Sequence, residues 1–476
     1  MSDKSKNTTG QGRPKKTGPA SPGKPIDPVW AWAPYEPDAR RPWDLPRAGH
    51  LFRRAAFGAT WDRLQRALAD GPARTIDALL RPDAEMADFD KTYDEYDAAA
   101  ARSNTTDGLR AWWLRRMIQT PHPLLEKMTL FWHGYFAVSG AKVESAGLML
   151  EHVQLLRRYA LGRFEPLLEA VSHDPAMLLS FGAAANRKAR PSGDFARALL
   201  GQFGLGAGNF SEEDASEVAR AFTGWFVLRN ELRYIPREHD DGAKSILGQK
   251  GDWGSKDAVR ILLRQPAAPR RVVRKLYRWL VSETDEPGDA MLAPLAESYA
   301  KDYDTGKLVE TMLRSNLFFS PVAYRRRVKC PVEFALGIIK GLEGMAATAR
   351  LGSDLAALGQ NLYRPPTVKG WQGGRNWINS STMIGRSNLA LALVSGAGPY
   401  GNKLDPLAVA RKHGKPDAKS ACPFLLDLFL QGDVDPKVRE TLLASTAESP
   451  PAGDNPSQRL RRFVHTILTL PEFQLA

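Results

Sequence analysis

Cysteine is nearly absent from this chain, since its 476 residues contain only Cys330 and Cys422. A disulfide framework is thereby excluded, and the two thiols read as buried side chains of a reducing compartment. No run approaches the roughly eighteen apolar residues of a membrane-spanning helix. The basic N-terminus is not followed by the apolar stretch of a secretory signal, so the expected location is the cytoplasm. Short catalytic motifs are missing as well: there is no Gly-x-Ser-x-Gly, His-Glu-x-x-His, Cys-x-x-Cys or Walker sequence. Gly204-Leu205-Gly206-Ala207-Gly208 has the look of a dinucleotide turn, but Asn209 stands at the third glycine and a helix precedes it. It reads as a helix end. Strand signals are scarce, and no repeat period marks a solenoid.

What is there is charge and helical periodicity. The formal net charge is +13, of which +5 sits in residues 1–26 and +8 is spread over the remaining 450. So dilute a charge mainly favours solubility and is only a weak nucleic-acid signal, so nucleic acid is not the expected partner. Residues 1–28 lack apolar anchors and read as a disordered basic tail. From 29 to 476 a helical unit is expected, with a division into two subdomains meeting near 226–256 as an alternative.

Trp30, Trp32, Tyr35 and Trp43 supply aromatic anchors to a Pro-rich lead-in. Leu124, Leu125, Met128, Phe131, Trp132, Tyr135 and Phe136 form the clearest apolar arc. Similar patterns predict helices from 60 through 470, with a single hairpin around Arg229-Asn230-Glu231 and loops over 364–381, 395–421 and 448–457. The expected fold is mostly α, a multi-helix globular bundle with at most one small β-hairpin and long ordered loops.

Two groups of residues could carry chemistry. Glu126, Thr129 and His133 lie off the apolar arc of their helix, and a histidine near a carboxylate can act as a general base or a metal ligand. A polar stripe satisfied by a neighbouring helix is the alternative. His239-Asp240-Asp241-Gly242 with Lys244 precedes glycines 248, 251 and 254 and a helix capped by Ser255. That arrangement could hold a divalent ion or an anion, or simply be a capped turn. Arg364, Trp371 and Trp377 in the Pro-, Gly- and Trp-rich loop are candidate binding residues. Paired arginines recur at 53–54, 115–116, 157–158, 270–271 and 461–462, and Arg325 to Arg327 form a triplet. On separate helices such pairs read as solvated faces.

Several phrases together are more specific. They include His50-Leu51-Phe52-Arg53-Arg54-Ala55-Ala56-Phe57-Gly58, Phe131-Trp132-His133-Gly134-Tyr135-Phe136 and Asp174-Pro175-Ala176-Met177-Leu178. Ala219-Arg220-Ala221-Phe222-Thr223-Gly224-Trp225, Pro365-Pro366-Thr367-Val368-Lys369-Gly370-Trp371 and Pro471-Glu472-Phe473-Gln474 follow in order. In this order they resemble the bacterial family called domain of unknown function 1800, over roughly residues 43–476. The resemblance implies no activity; it implies a partner of sulfatase-like or phosphatase-like type.

It also exposes departures. Where the family pattern has a second histidine in Trp-His-x-His-Phe, Tyr135 stands here. Where it has an aspartate and three glutamates, this chain has Gly182, Gly193, Ala198 and Gly201, while Arg197 is kept. Acids are lost and the apolar frame is retained, as in a disabled acid or metal site. The expected function is therefore a non-catalytic interaction protein. The alternative is a metal-dependent or acid/base hydrolase using Glu126, His133, His239 and Asp240 with Arg197, in which His133, His239 and Asp240 would hold a divalent metal.

Overall fold

A computed structural model describes residues 26–81, 86–401, 403–445 and 455–476. Most of the expected tail over 1–28 and of the expected loop over 448–457 lies outside the described residues. The described chain forms 24 α-helices and two small two-stranded antiparallel sheets, so the mostly helical reading holds. No helix among the described residues is long and apolar enough to cross a membrane.

The expected hairpin pairs Trp225–Leu228 with Glu231–Tyr234 through Arg229 and Asn230, both at positive φ (53° and 66°) as a two-residue primed turn requires. The limit of one hairpin is corrected to two. Lys244–Ile246 pairs with Gln249–Gly251 across Leu247 and Gly248, again both at positive φ. This second ribbon is pinned from outside, because Ser245 N–H donates to Glu217 (2.8 Å) and Leu247 N–H to Asp214 (2.7 Å) on the Glu212–Ala221 helix. Several helices depart from the sequence reading, among them Leu45–Ala55, which the Asp44 cap and Pro46 start inside the stretch read as a Pro-rich lead-in. Met86–Arg102 is polar on most of its surface and buries only a few residues such as Tyr93, Asp97 and Ala100. Pro406–Lys412 lies inside the stretch read as a loop, started by the Asp405 cap and Pro406.

The lead-in is fastened by Trp32, whose indole donates to Met291 O (2.7 Å), by Trp43, which donates to Ala67 O (2.8 Å), and by Tyr35, whose N–H donates to Arg314 O (2.7 Å). Trp30 is not an anchor, because it faces solvent.

At the centre runs the helix Pro123–Tyr135, which is buried nearly all round. Two neighbours on it, Glu126 and Lys127, are charged and wholly buried. Glu126 accepts from Trp113 Nε1 (2.8 Å), Arg116 Nε (2.9 Å), and Arg157 Nε (2.6 Å) and Nη2 (3.1 Å). These donors come from the helices Thr106–Gln119 and Ala146–Arg158. Burial alone would push the Glu126 pKa up, but Arg157, Arg116 and Trp113 outweigh it and hold it at about 2.

Lys127 reaches other elements. Its Nζ donates to the carbonyls of Arg53 (3.2 Å) and Ala56 (2.9 Å) and to the Glu333 carboxylate. Glu333 also accepts both Nη atoms of Arg327 (2.8 and 2.7 Å) and the N–H of Cys330 (2.8 Å), closing a capping box on the helix Pro331–Gly341. One helix thus ties together at least five segments through charges taken out of water.

Glu126→Gln keeps the shape but leaves Arg116 and Arg157 buried opposite a neutral amide. It should cost about 3 to 5 kcal/mol of stability, read as a lower urea midpoint with an unchanged slope.

Candidate functional site

The helix Ala267–Leu280 is amphipathic. Ala268, Val272, Val273, Leu276, Tyr277 and Leu280 are buried in the core, and Arg271, Lys275 and Arg278 fall at i, i+4 and i+7 along its other side. That cationic row forms one wall of a cleft of about 590 Å³. A second wall is the end of the central helix, with Phe131, Gly134 and Tyr135.

The third wall is a π-helix over Ala198–Gly204, whose wide turn is closed by Leu205 N–H donating to Leu200 O (2.6 Å). The fourth is the loop carrying Lys369, Trp371 and Trp377. This loop lies directly on the central helix, and a β-carbon at Gly370 (φ 72°) would overlap the Gly134 carbonyl. Gln202 on the π-helix donates to Val368 O, fastening the two walls.

The cleft is unbalanced in charge. Six basic side chains line it, namely Arg197, Arg271, Lys275, Arg278, Arg327 and Lys369, against the single carboxylate of Glu283. Three of the six are paired. Arg197 binds Glu212 (2.8 Å) and Asp194 (3.1 Å), Arg278 binds Glu286 (2.8 Å), and Arg327 binds Glu333. Among the described residues, Arg271, Lys275 and Lys369 have no ion-pair partner. Arg271 Nε donates to Gln202 O (2.7 Å), and its side chain also meets the Tyr135 hydroxyl. Lys275 is exposed on the wall, yet loss of hydration, and then Arg271 and Arg278 beside it, lower its pKa. Lys369 acts on it in the same sense.

Glu283 does not offset these charges freely. It accepts Val328 N–H (3.3 Å) and stands 3.6 Å from Arg327 Nε. Gly373 and Gly374, both at positive φ, close over it, and a β-carbon at Gly373 would come within 2.9 Å of its Oε1.

Positions 135, 198 and 201, where the resemblance implies a histidine and two glutamates, all line this cleft as Tyr, Ala and Gly. Tyr135 donates to Phe203 O (2.7 Å), and burial raises its pKa to about 12 against the influence of Arg271. Gly182 and Gly193 are not on the wall.

Of the sequence candidates, Arg197, Trp371 and Trp377 meet at the cleft. His133 is buried behind Trp371, with ring centroids 5.6 Å apart. Its Nε2 accepts Tyr363 N–H (3.1 Å), which places the proton of the neutral ring on Nδ1. Glu126 is held among its arginines and Thr129 donates to Leu125 O (2.8 Å), so both belong to the helix interior.

His239, Asp240 and Lys244 lie elsewhere, in the hairpin region. His239 Nδ1 donates to Thr223 O (2.8 Å), Asp240 accepts from Arg220 (2.7 and 3.0 Å), and Lys244 donates to Gly242 O (3.0 Å). The cap of the following helix is Gly254 with Asp257, not Ser255, whose hydroxyl is shared with His173 (2.9 Å). Arg364 is exposed and off the cleft. Among the described residues, the one trio of His, Cys, Asp or Glu spaced to hold a metal is Asp62, Glu343 and His413, where Lys412 already binds both carboxylates.

Sequence reasoning missed Lys275 and Arg278, and it read Arg271 only as part of a solvated arginine pair. Their signal was present as a basic stripe at helical spacing with no acids four residues away.

A protein-family model described as Protein of unknown function (DUF1800) matches residues 50–475. No curated protein and no solved structure matches the chain.

Burial, and then neighbouring His152, lower the His133 pKa from 6.5 to about 3. Between those values the unfolded chain binds the proton and the folded chain does not. Stability therefore falls as pH is lowered through that window, by up to about 1.4 kcal/mol per unit from this group. His133→Gln keeps an acceptor for Tyr363 but cannot titrate, so denaturant midpoints between pH 7 and 4 should fall less steeply. An unchanged slope would count against a buried neutral His133.

Proposed function

We propose, for a chain that belongs to the DUF1800 family, a non-catalytic binding role in which the cleft receives an anionic group of phosphate or sulfate type. The observation that carries this reading is the set Arg271, Lys275 and Lys369, three cations on the cleft wall without a carboxylate partner. A tetrahedral anion supplies several acceptor oxygens to such a set, and charge-assisted hydrogen bonds are the strong kind. Aromatic walls from Phe131, Trp279, Trp371 and Trp377 would take an apolar or ring-bearing body attached to that group.

The same wall supports retention over turnover. It offers no histidine, and its one carboxylate is already held by Val328 and close to Arg327. The thiol of Cys330 is pushed up to about 12, mainly by burial, so it is no nucleophile at neutral pH. The hydrolase alternative would need Glu126 to release four hydrogen bonds and His133 to leave a buried site. In the binding reading, a sulfatase-like or phosphatase-like partner and this chain share one class of ligand.

Phenyl phosphate and phenyl sulfate should each raise the thermal midpoint and bind in calorimetry with an affinity that falls as salt rises, whereas phenol should do neither. Lys275→Ala with Lys369→Ala should weaken binding by about tenfold or more, the size expected for losing a charged hydrogen-bond donor. Binding equally strong for phenol would overturn the proposal. Turnover of p-nitrophenyl phosphate or sulfate that is lost in His133→Ala would do the same.

A further inference from the structure

A second, smaller cavity has Glu333 in its wall. It measures about 30 Å³, and its walls include Arg53, Lys329, Glu333, Gln431, Phe429 and Phe473. That volume suits one or two water-sized species and excludes a sulfate or phosphate.

The polar atoms around it are unbalanced. Arg53 is 6% exposed; one Nη donates to Gln431, while its Nε and other Nη have no acceptor. Lys329 is 5% exposed, and among the described residues its Nζ has neither a hydrogen-bond nor an ion-pair partner. It stands 3.7 Å from the centroid of the Phe473 ring, a cation–π contact that does not replace an anionic partner.

Glu333 cannot serve these two cations, because both of its oxygens are taken by Lys127, Arg327 and the Cys330 N–H. Most charges around it are cationic, the acids being Glu333 and, near Arg53, Asp433. Arg54, Lys127, Arg327 and Arg386 are buried nearby, and Glu333 is the single buried carboxylate among them. Arg325 is committed to Asp433 (2.9 Å). Arg53 cannot shed its charge by deprotonation, and in a medium of low dielectric an adjacent anion is worth far more than in water.

We propose that this cavity is a binding site for a small monatomic anion, chloride in the first instance, held between the Arg53 guanidinium and the Lys329 ammonium. The ion completes the charge balance of the interior, and it is separate from the phosphate- or sulfate-type ligand of the cleft. Burial, with Arg53 and Arg325 close by, lowers the Lys329 pKa well below its ordinary value. That is the condition an incoming anion reverses.

The test uses the full chain at fixed ionic strength and pH, with chloride replaced stepwise by gluconate. The thermal midpoint should shift upward with chloride, continuing as the logarithm of its concentration above saturation. Lys329→Met, which keeps the length and removes the charge, should lose that dependence. Lys275→Ala with Lys369→Ala should keep it, which separates this site from the cleft. Equal midpoints in chloride and gluconate would overturn the proposal. If Lys329→Met does not fold, the anomalous signal of bromide in crystals of the unaltered protein decides: a peak beside Arg53 and Lys329 supports the site, and its absence there sinks it.

Discussion

The buried carboxylate of Glu333 is the constraint on which the rest of the interior depends. Arg327, Lys127 and the N-terminus of the helix Pro331–Gly341 all converge on it. Removing such ions from water costs several kcal/mol each, and only full hydrogen bonding recovers it. The outcome is not extra stability over an apolar core but a single permitted arrangement, because any slip of the central helix would leave Lys127 or Glu126 unpaired. Glu126 imposes the same condition on its own side through Arg116 and Arg157.

The cleft follows from that arrangement. Arg327 bridges both regions: it pairs with Glu333, its guanidinium lies 4.3 Å from the Trp279 ring, and it reaches the cleft wall. The central helix ends at Gly134 and Tyr135, and the absent side chain at Gly370 lets the Trp371 loop lie against the Gly134 backbone. Ala198 and Gly201 on the π-helix contribute little volume and no charge, so the cationic row of the Ala267–Leu280 helix is left to set the potential of the space.

The helices were legible because apolar spacing and caps coincide, as at Thr60, Asp174, Ser211 and Asn455, each of which accepts an N–H of the first turn. Met86–Arg102 was not, since a helix that buries so few side chains leaves little periodic signal. The second hairpin was hidden because its stability comes from Asp214 and Glu217, some thirty residues earlier. At the site, the loop tryptophans and Arg197 could be read from local composition. The significance of Arg271 and Lys275 could not, because it rests on which cations lack an acid in space. Glu126 and His133 illustrate the opposite error of emphasis: off the apolar arc, they still lie wholly inside, since helices pack against that face too.

Residues 473–476 close the charged interior. Ala476 N–H donates to Arg327 O (2.8 Å), Gln474 O accepts from Lys329 N–H (2.9 Å), Gln474 Oε1 accepts from Arg386 (3.3 Å), and Phe473 covers the Lys329 ammonium. Phe473 leaves the ribosome 144 positions after Lys329, and Gln474 leaves it 88 positions after Arg386. Until then Lys329 and Arg386 must stay hydrated, and the nascent chain cannot settle its centre however far its earlier helices have formed. Residues 473–476 therefore supply the step that dehydrates the interior, which ties their emergence to the moment at which the protein becomes rigid.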